Sequence, residues 1–145
     1  MVTISELPPF SPQEIAAARR YAAASPPATI DPAIEVLVKE LIGRVADRWT
    51  MLVLETLSER GTMRFGALRQ AIGTVSQKML TQTLRAMERD GILTRTVHPV
   101  VPPRVDYALT GLGFTLSAAF CGVWVWASEN HSAVAEARER FDLRD

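Results

Sequence analysis

At Leu93 the hydrophobic period of the chain changes from that of a helix to that of a strand, and this switch restricts the fold more than any other feature. Leu93, Arg95 and Val97 alternate with Thr94, Thr96 and His98, and after Pro99 to Pro103 the alternation returns as Val105, Tyr107 and Leu109. Two short alternating runs around a Pro-rich break read as a β-hairpin. Everything before Leu93 carries helical signals. Ser11-Pro12-Gln13-Glu14 combines a capping Ser, a Pro in the first turn and a Glu three residues after the cap, so an Ala-rich helix starts there and stops at Pro26-Pro27. Its Ala16, Ala17, Tyr21 and Ala24 suit a partner subunit.

Asp31-Pro32 repeats the start signal, and Ile34, Leu37, Val38, Leu41, Ile42 and Val45 recur at helical spacing, which predicts a core helix. Asp47 caps the next helix, with Trp49, Leu52, Val53, Thr56 and Leu57 on one side and Gly61 as its end. Phe65, Leu68 and Ile72 mark a short helix closed by Gly73. Ser76 opens another, running to about Asp90 before Gly91, with Met79 or Leu80, then Leu84 and Met87, facing inward. After the hairpin, Thr110 caps an apolar helix to about Asn130, and a separate polar helix is expected from Ser132 to Arg140. This order predicts a mainly α fold with a small β-hairpin, a winged helix-turn-helix flanked by N- and C-terminal dimerisation helices. Within one compact unit, residues 1–30 form an N-terminal arm and extra helix, 31–110 the winged domain and 111–145 the dimerisation helices.

The 145 residues have room for one domain, and 48% hydrophobic against 22% charged residues is an ordinary globular balance. A single Cys, Cys121, excludes an intramolecular disulfide, and with His98 and His131 as the only imidazoles no metal site is expected. Glu6 and Pro8 break the pattern of a secretory peptide, so a cytoplasmic location is expected. No residue from Tyr107 to Ser128 is charged, a length that would span a bilayer, but Thr110, Gly111, Gly113, Thr115, Ser117 and Gly122 dilute its hydrophobicity; a buried helix rather than a membrane one is expected.

The formal net charge of +0 conceals a distribution. Residues 61–110 carry seven Lys/Arg against three Asp/Glu, while both flanks are acidic. A basic middle is an electrostatic footprint for a polyanion.

The segments Asp47-Arg48-Trp49-Thr50, Arg64-Phe65-Gly66-Ala67-Leu68, Ser76 to Leu84, and Pro102 to Gly113 resemble HxlR-type regulators, bacterial winged helix-turn-helix transcription factors related to the MarR group. The resemblance covers residues 34–128. It implies a homodimer that binds inverted-repeat double-stranded DNA upstream of genes for aldehyde, quinone or electrophile detoxification; the expected function is that of a repressor relieved by a small effector, aromatic or electrophilic, although the sequence does not distinguish repression from activation. Several members sense stress with a Cys about one helix before the Asp-Arg-Trp motif; that region, near Glu35, has none here. Cys121, on the apolar helix, is expected to be a buried structural thiol.

A recognition helix must bury one face and offer hydrogen-bonding groups on the other. Gln77, Lys78, Gln82 and Arg85 are the candidates for base edges, with Ser76 and Thr81 on phosphates. Arg104 follows Pro102-Pro103 at the wing tip, where the fixed φ of Pro aims it outward to a minor groove or phosphate. His98 lies at the other end of that loop, and Arg64 and Arg69 on the short helix would flank the backbone. Phe114, Phe120, Trp124 and Trp126 cannot all face one subunit's core, so they are read as a dimer surface or effector pocket. No nucleophile with a base, Gly-rich phosphate loop or paired carboxylates points to an enzyme, and no cofactor is implied. The alternative reading is a winged-helix protein-interaction module without DNA binding.

Overall fold

The computed structural model describes residues 10–25, 28–45 and 47–144. Its elements follow as α1 (Pro12–Ala23), α2 (Pro32–Val45), α3 (Arg48–Arg60), β1 (Met63–Arg64), α4 (Phe65–Ile72), α5 (Gln77–Arg89), β2 (Leu93–His98), β3 (Arg104–Leu109) and α6 (Gly111–Asp142). The expected stop at Pro26-Pro27 and the tail before Phe10 lie outside the described residues. The short-range signals operate as anticipated. Ser11 and Glu14 form a reciprocal capping box, and the Ser76 and Thr110 hydroxyls accept from the backbone N–H of Met79 and Gly113. Gly61, Gly73 and Gly91 all have positive φ where helices end. Asp47 does occupy the capping position of α3, but its carboxylate accepts from the Thr50 hydroxyl instead of a backbone N–H.

The core lies where α3, α4 and α5 meet the sheet, with Val53, Leu57, Leu68, Leu80, Leu84 and Leu93 almost fully enclosed. Leu80, not Met79, is the inward residue of the first turns of α5. The hairpin is antiparallel, pairing Leu93 with Leu109 and His98 with Arg104. A third strand joins it, because β1 pairs Met63 with Tyr107 and Arg64 with Asp106, giving the order β1-β3-β2. At two residues, β1 is too short to show a period in the sequence.

Two helices differ from expectation. α2 does carry its apolar stripe, but Ile34, Leu37, Val38 and Ile42 are exposed, because only one end of the helix lies against the rest of the chain, through half-buried Leu41. α6 is one continuous helix through Ser132: neither Gly nor Pro interrupts it there, and the Asn130 side chain donates to the Trp126 carbonyl within the helix rather than breaking it. By length and composition α6 is apolar enough to cross a bilayer, and few of its residues are buried. Its first turn belongs to the folded unit, however, with Gly113 and Phe114 buried.

α1 packs along α6 of its own chain, not on a distant surface. Phe10 stacks on Phe114 with ring centroids 4.1 Å apart, Ala18 is buried, and the Glu14 side chain lies against Gly111 at the start of α6. A carboxylate beside a helix N-terminus is favourable.

Candidate nucleic-acid interface

α4 and α5 are held at a fixed angle by the turn between them. Val75 is buried in that turn, and Arg69 Nε donates to its carbonyl at 3.2 Å. Arg69, expected to flank the DNA backbone, thus spends its Nε–H on the turn of its own chain. α5 is anchored by Leu80, Thr83, Leu84 and Met87. All six polar residues singled out on it, Ser76, Gln77, Lys78, Thr81, Gln82 and Arg85, are exposed. The Thr81 hydroxyl donates to the Gln77 carbonyl at 2.7 Å, which leaves its oxygen as an acceptor. Lys78, Gln82, Arg85 and Arg89 recur at steps of four, three and four, so they share one helical line. Arg89 is missing from the sequence-based site; its place in this spacing was the available signal.

Arg64 is not on the short helix but in β1, at the capping position of α4, because pairing with Asp106 draws it into the sheet. Residues directly opposite in a sheet share a face. Arg64, Asp106 and Thr96 therefore form one cross-strand row, with Arg104 and His98 in the next row on the same side. The other side carries Met63, Val105, Tyr107 and Leu109 toward the core. Arg104 does not project from the Pro-rich tip. Its guanidinium NH2 donates to Asp106 Oδ2 at 3.1 Å, and His98 Nε2 lies 2.9 Å from the same oxygen. Burial around Asp106 acts to raise its pKa, but the hydrogen bond from His98 and the charge of Arg104 outweigh it and hold the carboxyl below its ordinary 3.8. Asp106, the acid that joins these bases, was not among the sequence candidates, since the contact with His98 spans eight residues and a chain reversal.

The four aromatic candidates on α6 separate. Phe114 is buried against Phe10 and serves this chain's own packing. Phe120 is half-buried, while Trp124 and Trp126 are exposed. None of them lines either of the two crevices beside α6. Those crevices, about 340 and 460 Å³, share Leu41, Asp90, Ile92 and Leu116; the first also touches Thr83 and Met87 of α5, and the second Tyr21, Leu37 and Leu112. Cys121, expected to be buried, is exposed, with its thiol donating to the Ser117 carbonyl at 3.5 Å, because no other element among the described residues covers that turn of α6. Among the described residues, no group of three or more His, Cys, Asp or Glu could hold a metal ion.

A helix-turn-helix whose second helix turns a polar face outward, with a three-stranded wing beside it, is the architecture of winged-helix transcriptional regulators. Residues 44–135 match the family described as HxlR-like helix-turn-helix, and the chain belongs to that family. It is 45% identical over 101 residues to the HTH-type transcriptional regulator YtfH of Escherichia coli K12, covering 70% of this chain and 79% of that protein. Among solved structures, the transcriptional regulator ytfH from Salmonella typhimurium is similar with a TM-score of 0.62 at 43% identity, covering 70% of this chain and 90% of that one. A MarR-family regulator from Porphyromonas gingivalis W83 has a TM-score of 0.60 at 31% identity, covering 72% and 99%. Family and relatives are transcriptional regulators, not enzymes.

Proposed function

We propose that the protein is a cytoplasmic, homodimeric, sequence-specific DNA-binding regulator, with α5 in the major groove and the wing on the flanking backbone. The observation that carries this reading is the exposed line of Lys78, Gln82 and Arg85 on a helix whose opposite face is locked into the core. Gln pairs bidentately with adenine and Arg or Lys with guanine, so this face has the donors and acceptors a major-groove reader needs. Ser76, Gln77 and Thr81 supply further polar contacts at the N-terminal end of the helix.

The test separates reading from gripping. Gln82→Ala or Arg85→Ala is expected to reduce discrimination at particular base pairs by about 1 to 3 kcal/mol, whereas Arg104→Ala weakens all sequences more evenly. Binding measured over a panel of duplexes recovered from a random-sequence pool gives the comparison. Identical profiles for both kinds of variant would remove the assignment of helix and wing.

Dimerisation is supported by apolar surface that the described residues leave exposed: Ile34, Leu37, Val38 and Ile42 on α2, and Val123 to Trp126 on α6. Contiguous exposed apolar area of this kind marks an interface. It also accounts for an apolar α6 without a membrane.

Relief of repression is assigned to the crevices between α2, α5 and α6. Their lining is mainly apolar and reaches the inner side of α5, so an aromatic molecule seated there would bear on the recognition helix. Leu116→Trp, at a half-buried position beside the core, fills the shared part of the crevices and is expected to abolish release of DNA by the inducing molecule while leaving DNA affinity within about threefold of the wild type, a change of about 0.7 kcal/mol. An unaltered response would place the effector elsewhere.

A further inference from the structure

Met79 is the one large apolar side chain that α5 leaves exposed, 42% open to solvent on a surface that is otherwise polar. The core does not use it. The enclosed cluster takes Val75 before it and Leu80 after it, and among the described residues Met79 belongs neither to that cluster nor to the lining of the two crevices. Assembly does not account for it either. α2 and α6 approach α5 at its C-terminal end, where Leu41 and Leu116 share a crevice with Ala86, Met87 and Asp90. A helix rises about 1.5 Å per residue, so Met79 lies about 16 Å along the axis from Asp90, at the end remote from the surfaces read as the dimer interface.

Its place on the helix supplies a reason. Ser76 Oγ accepts from the Met79 N–H at 3.0 Å, which fixes Met79 in the first turn, and the N-terminal turns of a recognition helix are the ones that meet base edges. One residue is about 100° of helical turn, so Met79 flanks the line of Lys78, Gln82, Arg85 and Arg89. A helix about 10 to 12 Å across fills a major groove about 12 Å wide, so the flanks of that line face base edges as well as its crest. Those edges offer an apolar side chain very little. Across the ordinary base pairs, the apolar group presented in the major groove is the C5 methyl of thymine.

We infer that Met79 is a specificity-determining residue that reads the C5 methyl of a thymine in the groove α5 occupies. The inference rests on the reading of α5 as the major-groove helix. Lys78, Gln82 and Arg85 recognise through hydrogen bonds, and hydrogen bonds do not tell thymine from uracil, since both present the same O4 acceptor. A methyl is detected only by removing it from water. Met suits that task, because its unbranched chain and polarizable thioether adapt to an irregular apolar contact.

The experiment takes the full chain and a duplex that it has selected from a random-sequence pool, and replaces each thymine in turn by deoxyuridine, which deletes the methyl and keeps every hydrogen-bonding group. For the wild type, at least one thymine should be sensitive, with affinity falling about three- to fivefold when its methyl is removed, the worth of burying one such group. Met79→Ala should weaken binding to the unsubstituted duplex by about three- to tenfold and show no further loss at that thymine, so the two changes are coupled rather than additive. Its logarithmic salt slope should remain that of the wild type, because the contact releases no counterion. Met79→Leu, which keeps an apolar side chain, should retain the sensitivity, and thermal unfolding of both variants should match the wild type. Thr81 carries a methyl on the other flank of the line, and Thr81→Ser, which deletes only that methyl, should leave the uracil pattern intact. A wild type indifferent to uracil at every position, a Met79→Ala variant that keeps the wild-type uracil pattern, or loss of that pattern in Thr81→Ser overturns the inference. If Gln82→Ala and Arg85→Ala change discrimination at no base pair, the placement of α5 in the groove has failed instead.

Discussion

Replacing Gly113 by alanine is expected to destabilise the protein by about 3 kcal/mol or more, although alanine is the better helix former by about 1 kcal/mol. The reason is a close approach of two backbones. A Cβ at Gly113 would overlap the carbonyl oxygen of Ile92 and come within 3.1 Å of its Cγ2. That oxygen cannot swing aside cheaply, since it accepts from the Thr110 N–H at 3.0 Å and the Thr110 hydroxyl at 3.1 Å. Those bonds join the end of the hairpin to the cap of α6, so relieving the overlap means moving α6 as a body. For a chain of this size the loss corresponds to a fall in Tm of about 6 to 12 °C. Gly66→Ala is the matched control. It too lies in a helix, but its added Cβ meets nothing within 4 Å, and its Tm should stay level or rise slightly. Equal effects at the two positions in thermal unfolding would rule out the close approach as the cause.

The second large effect is expected at the apolar turn of α6. Trp124→Glu combined with Trp126→Glu should give a monomer at micromolar concentration and lower affinity for a two-half-site operator by about 10²- to 10⁴-fold, the usual worth of linking two modest contacts into one. Both indoles are more than half exposed in the single chain, so folding should survive their replacement. A two-fold dimer places its half-sites one helical turn apart, roughly 34 Å, on an inverted repeat. Sedimentation measures the assembly and a shortened duplex with one half-site measures the avidity. A wild-type chain that sediments as a stable monomer while binding one half-site would defeat the homodimer reading.

The parts of this protein that the sequence determined by itself are those decided over a few residues. Ser11, Ser76 and Thr110 start helices because a hydroxyl or carboxylate two or three positions away from an unpaired N–H is a purely local solution. Gly61, Gly73 and Gly91 end helices because the backbone turns to positive φ at each of them, a conformation that glycine adopts without strain. The period of two around the Pro-rich tip defined the hairpin, and the polar residues of α5 could be placed outward as soon as its apolar stripe was recognised. Tertiary structure decided what those faces meet. Periodicity showed that α2 and α6 have apolar faces, but an apolar face is equally consistent with a core and with a second subunit, and α2 proved to be uncovered within the chain. The same limit explains Phe114, which packs on Phe10 instead of joining Trp124 and Trp126 on the surface. Arg64, Arg104, His98 and Asp106 are up to 42 positions apart in the chain, and only the antiparallel pairing of three strands brings them together. Hydrogen-bond partners across a sheet are set by register, a property of the assembled strands that no single segment carries.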